Sequence, residues 1–251
     1  MEKNIQTWNQ QAAEGGYHYR LDPVEKAVDD HLNDLLQKIF PYEEFKGKKV
    51  LDVGCGTGDF SLILILHASE VVGIDPAEAS IILAKTKMPL GNIKFIVSSA
   101  YEMPFPDDSF DIVVCRNMLH HLDEPEKAIK ECSRLAKTIV IIESNGINPY
   151  RQIMKRVSKV YKERGEGAIL VSQLKKMLNN NGFRVQRQKY GTFIPPAAPR
   201  WSLGFLTWIE KIVEKTPLIK FFGGTYIAIA QKRHCLQFVQ SHTDLYLYNM
   251  L

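Results

Sequence analysis

The sequence has few cysteines and no strong excess of either charge. Its 251 residues include four cysteines, and no two of them form a C-x-x-C pair. This spacing disfavours a structural zinc site and a disulfide framework, and it is typical of a reducing compartment. The net charge of +4 is too small to indicate a nucleic-acid partner by itself. We therefore predict no metal site and do not expect a nucleic-acid partner.

Long apolar runs are also missing. No segment approaches the ~18 consecutive apolar residues of a membrane span. The first residues, MEKNIQTW, have no apolar core of the kind found in signal peptides. We expect a cytoplasmic protein without a membrane span. One domain with a well-buried core is the default for this length.

Glycine is concentrated at one informative place, VLDVGCGTGD at residues 50–59. A buried strand over residues 49–53 is predicted to run into a turn at Gly54, Gly56 and Gly58, with a helix beginning near Asp59. Glycines permit positive φ and a close approach of a ligand to the backbone. A helix N-terminus after a strand adds free N–H groups. The segment therefore predicts a nucleotide-sized cradle, although a purely structural loop would look similar.

The usual phosphate-binding signatures are absent from this turn. A dinucleotide fingerprint would need a third glycine at position 59, which is Asp59, and no Lys-Ser or Lys-Thr pair follows as in a P-loop. Asp52 precedes the turn, and a carboxylate repels phosphate. Asp75 follows a second predicted strand, 21 positions after Gly54 (75 − 54), the distance at which a carboxylate reaches ribose hydroxyls. We expect a cationic or zwitterionic ligand.

Four sequence motifs occur in the order found in a known protein family. VLDVGCGTGDF, VVGIDPAEAS, IKFIVSSAYEMPFPDDSFDIVVCRNMLHHL and the later Glu131-Cys-Ser-Arg134-Leu resemble the class I S-adenosylmethionine-dependent methyltransferases, and their small-molecule branch most of all. The resemblance covers residues 45 to 145. It implies S-adenosylmethionine as the cofactor, S-adenosylhomocysteine as the product, and an enzyme.

The resemblance also implies roles for individual residues. Asp52 would orient the loop or the cofactor's ammonium group, with a helix-capping acid as the alternative. Ser99 stands where many relatives have an acid that binds adenine, and a serine accepts without charge assistance. The full expected cofactor site is Asp52, Gly54, Cys55, Gly56, Gly58, Asp75, Pro76, Ser99, Ala100, Tyr101, and the backbone of Cys115 and Arg116.

Three residues are candidates for acid–base catalysis: His120, His121 and Glu143. Histidine titrates near neutral pH and is a suitable general base. Because the two histidines are adjacent, we expect their side chains to point in different directions and not to share a metal. A structural role for these loop histidines is the alternative. In-line methyl transfer needs a base only when the acceptor must lose a proton early, because positioning supplies much of the catalysis.

The alternation of strand and helix patterns predicts an α/β fold. We expect a Rossmann-like seven-stranded, mostly parallel sheet, with helices on both faces and an antiparallel last strand. Residues 1–21 show little periodicity, and a helix is predicted from Asp22-Pro23 to Pro41. The run 60–66 is predicted to be a buried helix, and Pro76 to start the next one. The remaining predictions are strands at 93–97, 110–115, 138–142, 183–190 and 225–231, and helices at 124–136, from 149 onward and at 172–181.

Three regions are predicted around this pattern. Residues 1–46 would form an N-terminal helical cap, in which Tyr17-His18-Tyr19 either closes the site or is a surface packing segment. Residues 47–232 would form the cofactor-binding domain, with a substrate-side insert around 195–222. Residues 233–251 form a tail for which the sequence gives no role.

Two motifs of nucleic-acid methyltransferases are absent, and their absence narrows the choice of methyl acceptor. Cys115-Arg116-Asn117-Met118 matches neither the [DN]-P-P-[YF] pattern of base-amine methyltransferases nor the Pro-Cys of cytosine C5 enzymes. The apolar stretch 201–222 indicates an apolar acceptor pocket or contact with a membrane surface. A helix packed on the sheet is the alternative. We predict a small, partly apolar acceptor, with lipid-like molecules included, that is methylated on oxygen, nitrogen or carbon. The alternatives are an RNA methyltransferase, which the basic helix after residue 149 would favour, and a non-enzymatic S-adenosylmethionine-binding assembly or regulatory protein.

Overall fold

A seven-stranded sheet is the centre of the computed structural model, which describes residues 2–13, 23–87, 91–157, 168–194, 198–216 and 218–233. The strands are β1 (Lys49–Val53), β2 (Glu70–Asp75), β3 (Ile93–Val97), β4 (Ile112–Arg116), β5 (Thr138–Ser144), β6 (Phe183–Gly191) and β7 (Thr225–Lys232). The α-helices are α1 (Glu2–Ala13), α2 (Pro23–Ile39), α3 (Asp59–Ile65), α4 (Glu78–Thr86), α5 (Pro125–Leu135), α6 (Pro149–Val157), α7 (Val171–Asn180) and α8 (Leu203–Val213).

The strand order is β3-β2-β1-β4-β5-β7-β6. The strands β3, β2, β1, β4 and β5 pair in parallel, whereas β7 is antiparallel to both β5 and β6. The central strands are buried along almost their whole length, which is why they read as continuous apolar runs. The predicted fold class is confirmed. In this topology the carboxyl ends of β1, β2, β4 and β5 meet at one edge of the sheet, where ligands bind in open α/β folds.

Helices cover both faces of the sheet. One core cluster joins the sheet to α5 and α7, and the other joins it to α2, α3 and α4. Because Leu35 and Leu36 of α2 are fully buried in the second cluster, α2 belongs to the same core as the sheet. The division into a cap of residues 1–46 and a domain of residues 47–232 stays a prediction.

Most elements lie where the sequence predicts them, and the differences are local. The run 60–66 forms α3, as predicted. α4 begins at Glu78 instead of Pro76, because Asp75 accepts the Ala77 N–H and holds residues 76–77 outside the helix. β4 begins at Ile112 because the Phe110 N–H is bonded to Leu135 O, outside the sheet.

The expectation of little periodicity before residue 21 is wrong for its first part. Residues 2–13 form α1, which packs against α4. Ile5, Trp8 and Ala12 are spaced by three and four residues, so they lie on one face of a helix. The Tyr17-His18-Tyr19 segment, Lys159, Lys162 and the tail from residue 234 lie outside the described residues.

An ionic cluster joins α2 to α8. His31 Nε2 lies 2.5 Å from Glu214 Oε1 and 3.3 Å from Glu210 Oε1. Burial alone would lower the pKa of His31, but the hydrogen bond to Glu214 and the charges of both glutamates raise it above its ordinary value. The sequence predicts no metal site. In the part of the chain that the structure describes, these three residues place ligand-type atoms within 4.8 Å of one another, and their mutual contacts form a salt-bridge cluster.

We expect this cluster to make stability depend on pH. The raised pKa of His31 means that its contribution is fully present below pH 6.5 and is lost as pH rises through the folded-state pKa. Because the cluster is partly exposed, we expect a loss of about 1 kcal/mol. Thermal unfolding from pH 6 to pH 9 should show this step in the wild type and not in His31→Gln. The control is His67→Gln, an exposed histidine stacked on Tyr42; a step that persists in His31→Gln would contradict the assignment.

Candidate active site

The glycine turn after β1 is built by backbone hydrogen bonds to β2. Gly54 N and Cys55 N both donate to Ile74 O, at 2.8 and 3.0 Å. Gly54 and Gly58 have φ of 73° and 78°. A Cβ on Gly54 would lie 2.6 Å from Met118 Cβ, and one on Gly58 would lie 2.6 Å from Phe95 Cζ. Glycine is therefore required at both positions by the backbone and by close packing.

Asp75 fixes the middle of this turn. Its Oδ2 accepts the Gly56 N–H at 3.0 Å, and its Oδ1 accepts the Ala77 N–H at 2.8 Å. Burial raises the pKa of Asp75, and these two N–H groups oppose that shift. Each carboxylate oxygen retains acceptor capacity beyond one bond. Half-buried Pro76, which has no N–H, follows it between β2 and α4.

Asp52 lies under the turn and binds the first turn of α3. Its Oδ2 accepts the Ser61 hydroxyl at 2.5 Å, and the residue is fully enclosed. Burial raises the pKa of Asp52 to about 6, against the opposing effects of Ser61 and Arg116. Burial also raises the pKa of the neighbouring Cys55 thiol. Asp52 therefore ties β1 to α3, which is close to the helix-capping alternative.

Ser99 and Tyr101, which follow β3, form hydrogen bonds within the protein. Ser99 Oγ accepts the Tyr101 N–H at 3.2 Å, and its own hydroxyl proton can still be donated. Tyr101 Oη accepts the Glu124 N–H at 3.1 Å at the start of α5. Ala100 is buried between them. The three residues form a small shelf beside Asp75, because Ser98 N donates to Asp75 O.

The end of β4 sends successive side chains to opposite faces of the sheet, as a strand must. Cys115 is buried in the core with its Sγ 3.8 Å from Cys132 Sγ. The Arg116 guanidinium lies over the Phe60 ring at 4.4 Å and forms an ion pair with Asp29 of α2. A contact of the cofactor with the backbone of these two residues stays a prediction.

Glu143 organises the loop that follows β4. Its Oε1 accepts the N–H groups of Met118 and Leu119 at 2.8 and 2.7 Å, and its Oε2 lies 2.6 Å from His120 Nδ1. Burial acts to raise the pKa of Glu143, but the charge and hydrogen bond of His120 and the two N–H groups outweigh it and lower the pKa. An ionised carboxylate only accepts, so His120 Nδ1 carries a proton and donates it to Glu143 Oε2.

The expectation that the two histidines point in different directions is wrong. Their ring centroids are 4.0 Å apart. Leu119–His121 form a single 3₁₀ turn, and both large rings lean to the same side of it. Burial, and then the neighbouring His120, lower the pKa of His121 to about 4, so this ring is neutral at pH 7. His121 Nδ1 is buried and has no hydrogen-bond partner among the residues that the structure describes.

Helix α1 covers this group of loops, which the sequence reasoning missed. Trp8 packs edge-on against His121 with ring centroids 5.2 Å apart. Asn9 Oδ1 accepts the Ala79 N–H at 2.9 Å at the start of α4. The spacing of Ile5, Trp8 and Ala12 was the available signal. Met118 was also missed; its side chain rests on Gly54, so it connects the His120–Glu143 pair to the glycine turn.

Comparison with known proteins identifies the segment that carries this geometry. Residues 51–141 match a family model described as a methyltransferase domain. Over these residues the chain is similar to methyltransferase domains. The cofactor of the family is S-adenosylmethionine.

Two curated relatives match a part of the chain. The uncharacterized methyltransferase YcgJ of Bacillus subtilis is 35% identical over 92 residues, covering 36% of this chain and 36% of that protein. A ubiquinone biosynthesis O-methyltransferase of Pseudomonas putida is 37% identical over 95 residues, covering 36% of this chain and 40% of that protein. The match therefore spans well under half of the length of either relative.

A solved structure shows the same fold over a larger part of the chain. Magnesium protoporphyrin IX methyltransferase from Synechocystis, determined with bound S-adenosylhomocysteine, gives a TM-score of 0.59 at 19% identity. The alignment covers 84% of this chain and 88% of that one. At this identity the similarity concerns the fold.

The side chains at the site fit the cofactor of the methyltransferase family. Asp52, Asp75 and Glu143 are buried acids at the ends of β1, β2 and β5. The guanidinium of Arg116 is turned away toward α2 by its ion pair with Asp29. A negative site of this kind suits a sulfonium and an ammonium group better than a phosphate.

Proposed function

We propose that this chain is an S-adenosylmethionine-dependent methyltransferase that acts on a small, partly apolar acceptor. The observation that carries the proposal is the His120–Glu143 pair beside the glycine turn, with Met118 in contact with both. The relatives support the reaction class, and one of them is named for O-methylation. The outward-facing apolar residues around α8 support an apolar acceptor.

Each part of the site has a separate task in this proposal. Asp75 and the shelf of Ser99 to Tyr101 bind the adenosine part, and the backbone of the glycine turn binds the methionine part. When bound, S-adenosylmethionine supplies a methyl group on a cationic sulfur. His120 takes a proton from the acceptor at Nε2, while Glu143 holds the ring and stabilises its charged form. Trp8 and His121 exclude water from one side.

The protein needs no covalent intermediate for this chemistry. Holding the acceptor in line with the methyl group can supply much of the rate. His120 matters most for an acceptor such as a phenol or a catechol, whose oxygen becomes a stronger nucleophile on losing its proton. An O-methyl product is therefore the expected outcome.

The test is a turnover assay on the purified full-length chain. We would incubate it with S-adenosylmethionine and four acceptor classes: alkylated catechols, apolar amines, fatty acids and total RNA. Mass spectrometry would follow S-adenosylhomocysteine and the methylated acceptor. We expect release of S-adenosylhomocysteine that depends on an alkylated catechol.

Other outcomes would contradict defined parts of the proposal. Methylation of RNA alone would show that the acceptor class is wrong. Cofactor binding without turnover in any class would favour an assembly or regulatory role. Failure to bind S-adenosylmethionine, with NADH and ATP tested alongside, would contradict the cofactor assignment.

A further inference from the structure

Helix α8 buries an acid and exposes several large apolar side chains. Its acidic residue Glu210 faces the body of the protein and is 1% exposed. The residues that face outward are Trp201, Phe205, Trp208 and Ile212, with 87%, 63%, 60% and 47% of their surface exposed. Phe205, Trp208 and Ile212 are spaced by three and four residues along one side of α8, and Trp201 lies in the 3₁₀ turn Arg200–Ser202 just before the helix. Surface helices normally bury the apolar side and expose the polar one.

Specific polar contacts hold the helix in this orientation. Glu210 Oε1 accepts the Phe193 N–H at 2.8 Å. Glu214, just past the end of the helix, lies 2.5 Å from His31 Nε2. Rotating α8 to bury its apolar residues would break these contacts and leave His31 facing apolar side chains. The outward apolar stripe, which we define as Trp201, Phe205, Trp208 and Ile212, is therefore a fixed feature of the fold.

Further exposed apolar residues follow the stripe along the chain. Leu218, Ile219, Phe221 and Phe222 all have more than a third of their surface exposed. The rings of Phe205 and Trp208 stack with centroids 6.2 Å apart. A cleft of about 450 Å³ opens beside them, lined by Tyr150, Pro199, Trp201, Phe205 and Leu206 among others. Exposed apolar surface of this kind marks an interaction site.

The charges around the stripe identify the partner. Residues 198–224 contain two acids, Glu210 and Glu214, and both are turned inward against His31. Lys211, Lys215 and Lys220 are exposed. The outer surface of this segment is therefore apolar and cationic. Aromatic and aliphatic residues flanked by lysines are the composition of helices that lie in the interface of an anionic membrane.

We infer that α8 docks the protein on the surface of an anionic lipid bilayer, with the stripe inserted at the boundary between headgroups and acyl chains. Each lysine near such a surface adds attraction. α8 has 11 residues, far fewer than a span requires, and none of the described helices is long and apolar enough to cross a membrane. A second copy docked on the same face would bring lysine against lysine. The inference does not depend on the proposed catalysis.

The direct test is co-sedimentation of the full-length chain with vesicles. Equimolar phosphatidylcholine and phosphatidylglycerol vesicles should bind the wild type at low salt, and pure phosphatidylcholine vesicles should bind it at least tenfold more weakly. The double variant Phe205→Ser/Trp208→Ser should lose binding at least tenfold. Because both side chains are exposed, its unfolding temperature should not fall. The matched control is Leu66→Ser, an exposed apolar residue at the end of α3, which should bind like the wild type.

Two further measurements separate the partners. Charge reversal with Lys211→Glu/Lys215→Glu should weaken binding and remove most of its salt dependence. The chain has three tryptophans, so Trp8→Phe leaves only Trp201 and Trp208, and brominated lipids should quench their fluorescence. Absence of vesicle binding would overturn the inference. Dimerisation that is lost in the Phe205→Ser/Trp208→Ser variant, without lipid binding, would assign the stripe to a second copy instead.

Discussion

Replacing Asp75 by Asn is expected to weaken S-adenosylmethionine binding about 100-fold, which corresponds to about 2.8 kcal/mol. The carboxylate accepts two backbone N–H groups, from Gly56 and Ala77. An amide of the same size can accept only one of them, and its NH₂ group faces the other donor. The substitution therefore removes a charge-assisted bond and disturbs the turn that we propose to contact the cofactor. Isothermal titration calorimetry measures the change directly.

A matched control separates this effect from a general loss of a carboxylate. Asp111 also accepts a backbone N–H, from Lys49 at 2.9 Å, but it lies at the opposite edge of the sheet, just before β4. Asp111→Asn should leave the dissociation constant within about twofold of the wild type, because it is remote from the turn. Equal weakening in both variants would contradict a specific role for Asp75.

Thermal unfolding gives an independent check of the same site. Cofactor at a hundredfold excess over its dissociation constant should stabilise the wild type by about 2.7 kcal/mol, a rise of about 5–10 °C for a chain of this size. The rise should largely disappear in Asp75→Asn at the same cofactor concentration. A wild type that responds to NADH and not to S-adenosylmethionine would contradict the cofactor assignment.

The parts of the site that depend on local sequence could be predicted. The turn at Gly54 to Gly58 follows from glycine's freedom at positive φ, and Asp75 follows from its distance along the chain. Both features lie at the ends of neighbouring parallel strands, so the sheet topology brings them together. Glu143 was predicted as a candidate from its place at the end of β5, but its bonds to Met118 and Leu119 could not be, because they join separate strands.

Contacts between distant segments account for the failures. The rings of His120 and His121 lie together because Glu143 holds one and Trp8 of α1 packs on the other. The directions expected for adjacent side chains on a regular element do not take contacts with Glu143 and Trp8 into account. The orientation of α8 is a similar case. Its apolar pattern left an acceptor pocket, contact with a membrane surface and a helix packed on the sheet as alternatives, and only the partners of Glu210 and Glu214 on other elements show which side is turned outward.

Replacing Glu143 by Gln is expected to lower the turnover number about 100-fold or more, the usual contribution of a general base. The amide oxygen can still accept the N–H groups of Met118 and Leu119, so the loop after β4 should keep its shape. The amide NH₂ would then face His120 Nδ1 and donate to it. His120 would carry its proton on Nε2 instead, and it could no longer take one from the acceptor. Cofactor affinity should be almost unchanged.

The change of tautomer can be measured without knowing the acceptor. Nitrogen-15 NMR of labelled protein should show His120 protonated on Nδ1 in the wild type and on Nε2 in Glu143→Gln. The free energy of unfolding, measured as a function of pH in the acidic range, gives a second readout. Because the pKa of Glu143 is lowered from 4.5, its contribution is present above that pH and is lost as pH falls through the folded-state value. Glu143→Gln should lack this loss.

Glu131→Gln is the matched control, because Glu131 is also a carboxylate with a structural task. It accepts the Met103 N–H at 3.2 Å and binds Arg134, and among the described residues it has no imidazole partner. Its substitution should lower stability and leave the turnover number within about threefold. His120→Gln should lose as much activity as Glu143→Gln, and the double variant should lose little more, because the two residues act as one unit. A Glu143→Gln enzyme with nearly full turnover would show that no base is needed, and that the site works by positioning the acceptor in a dry cleft.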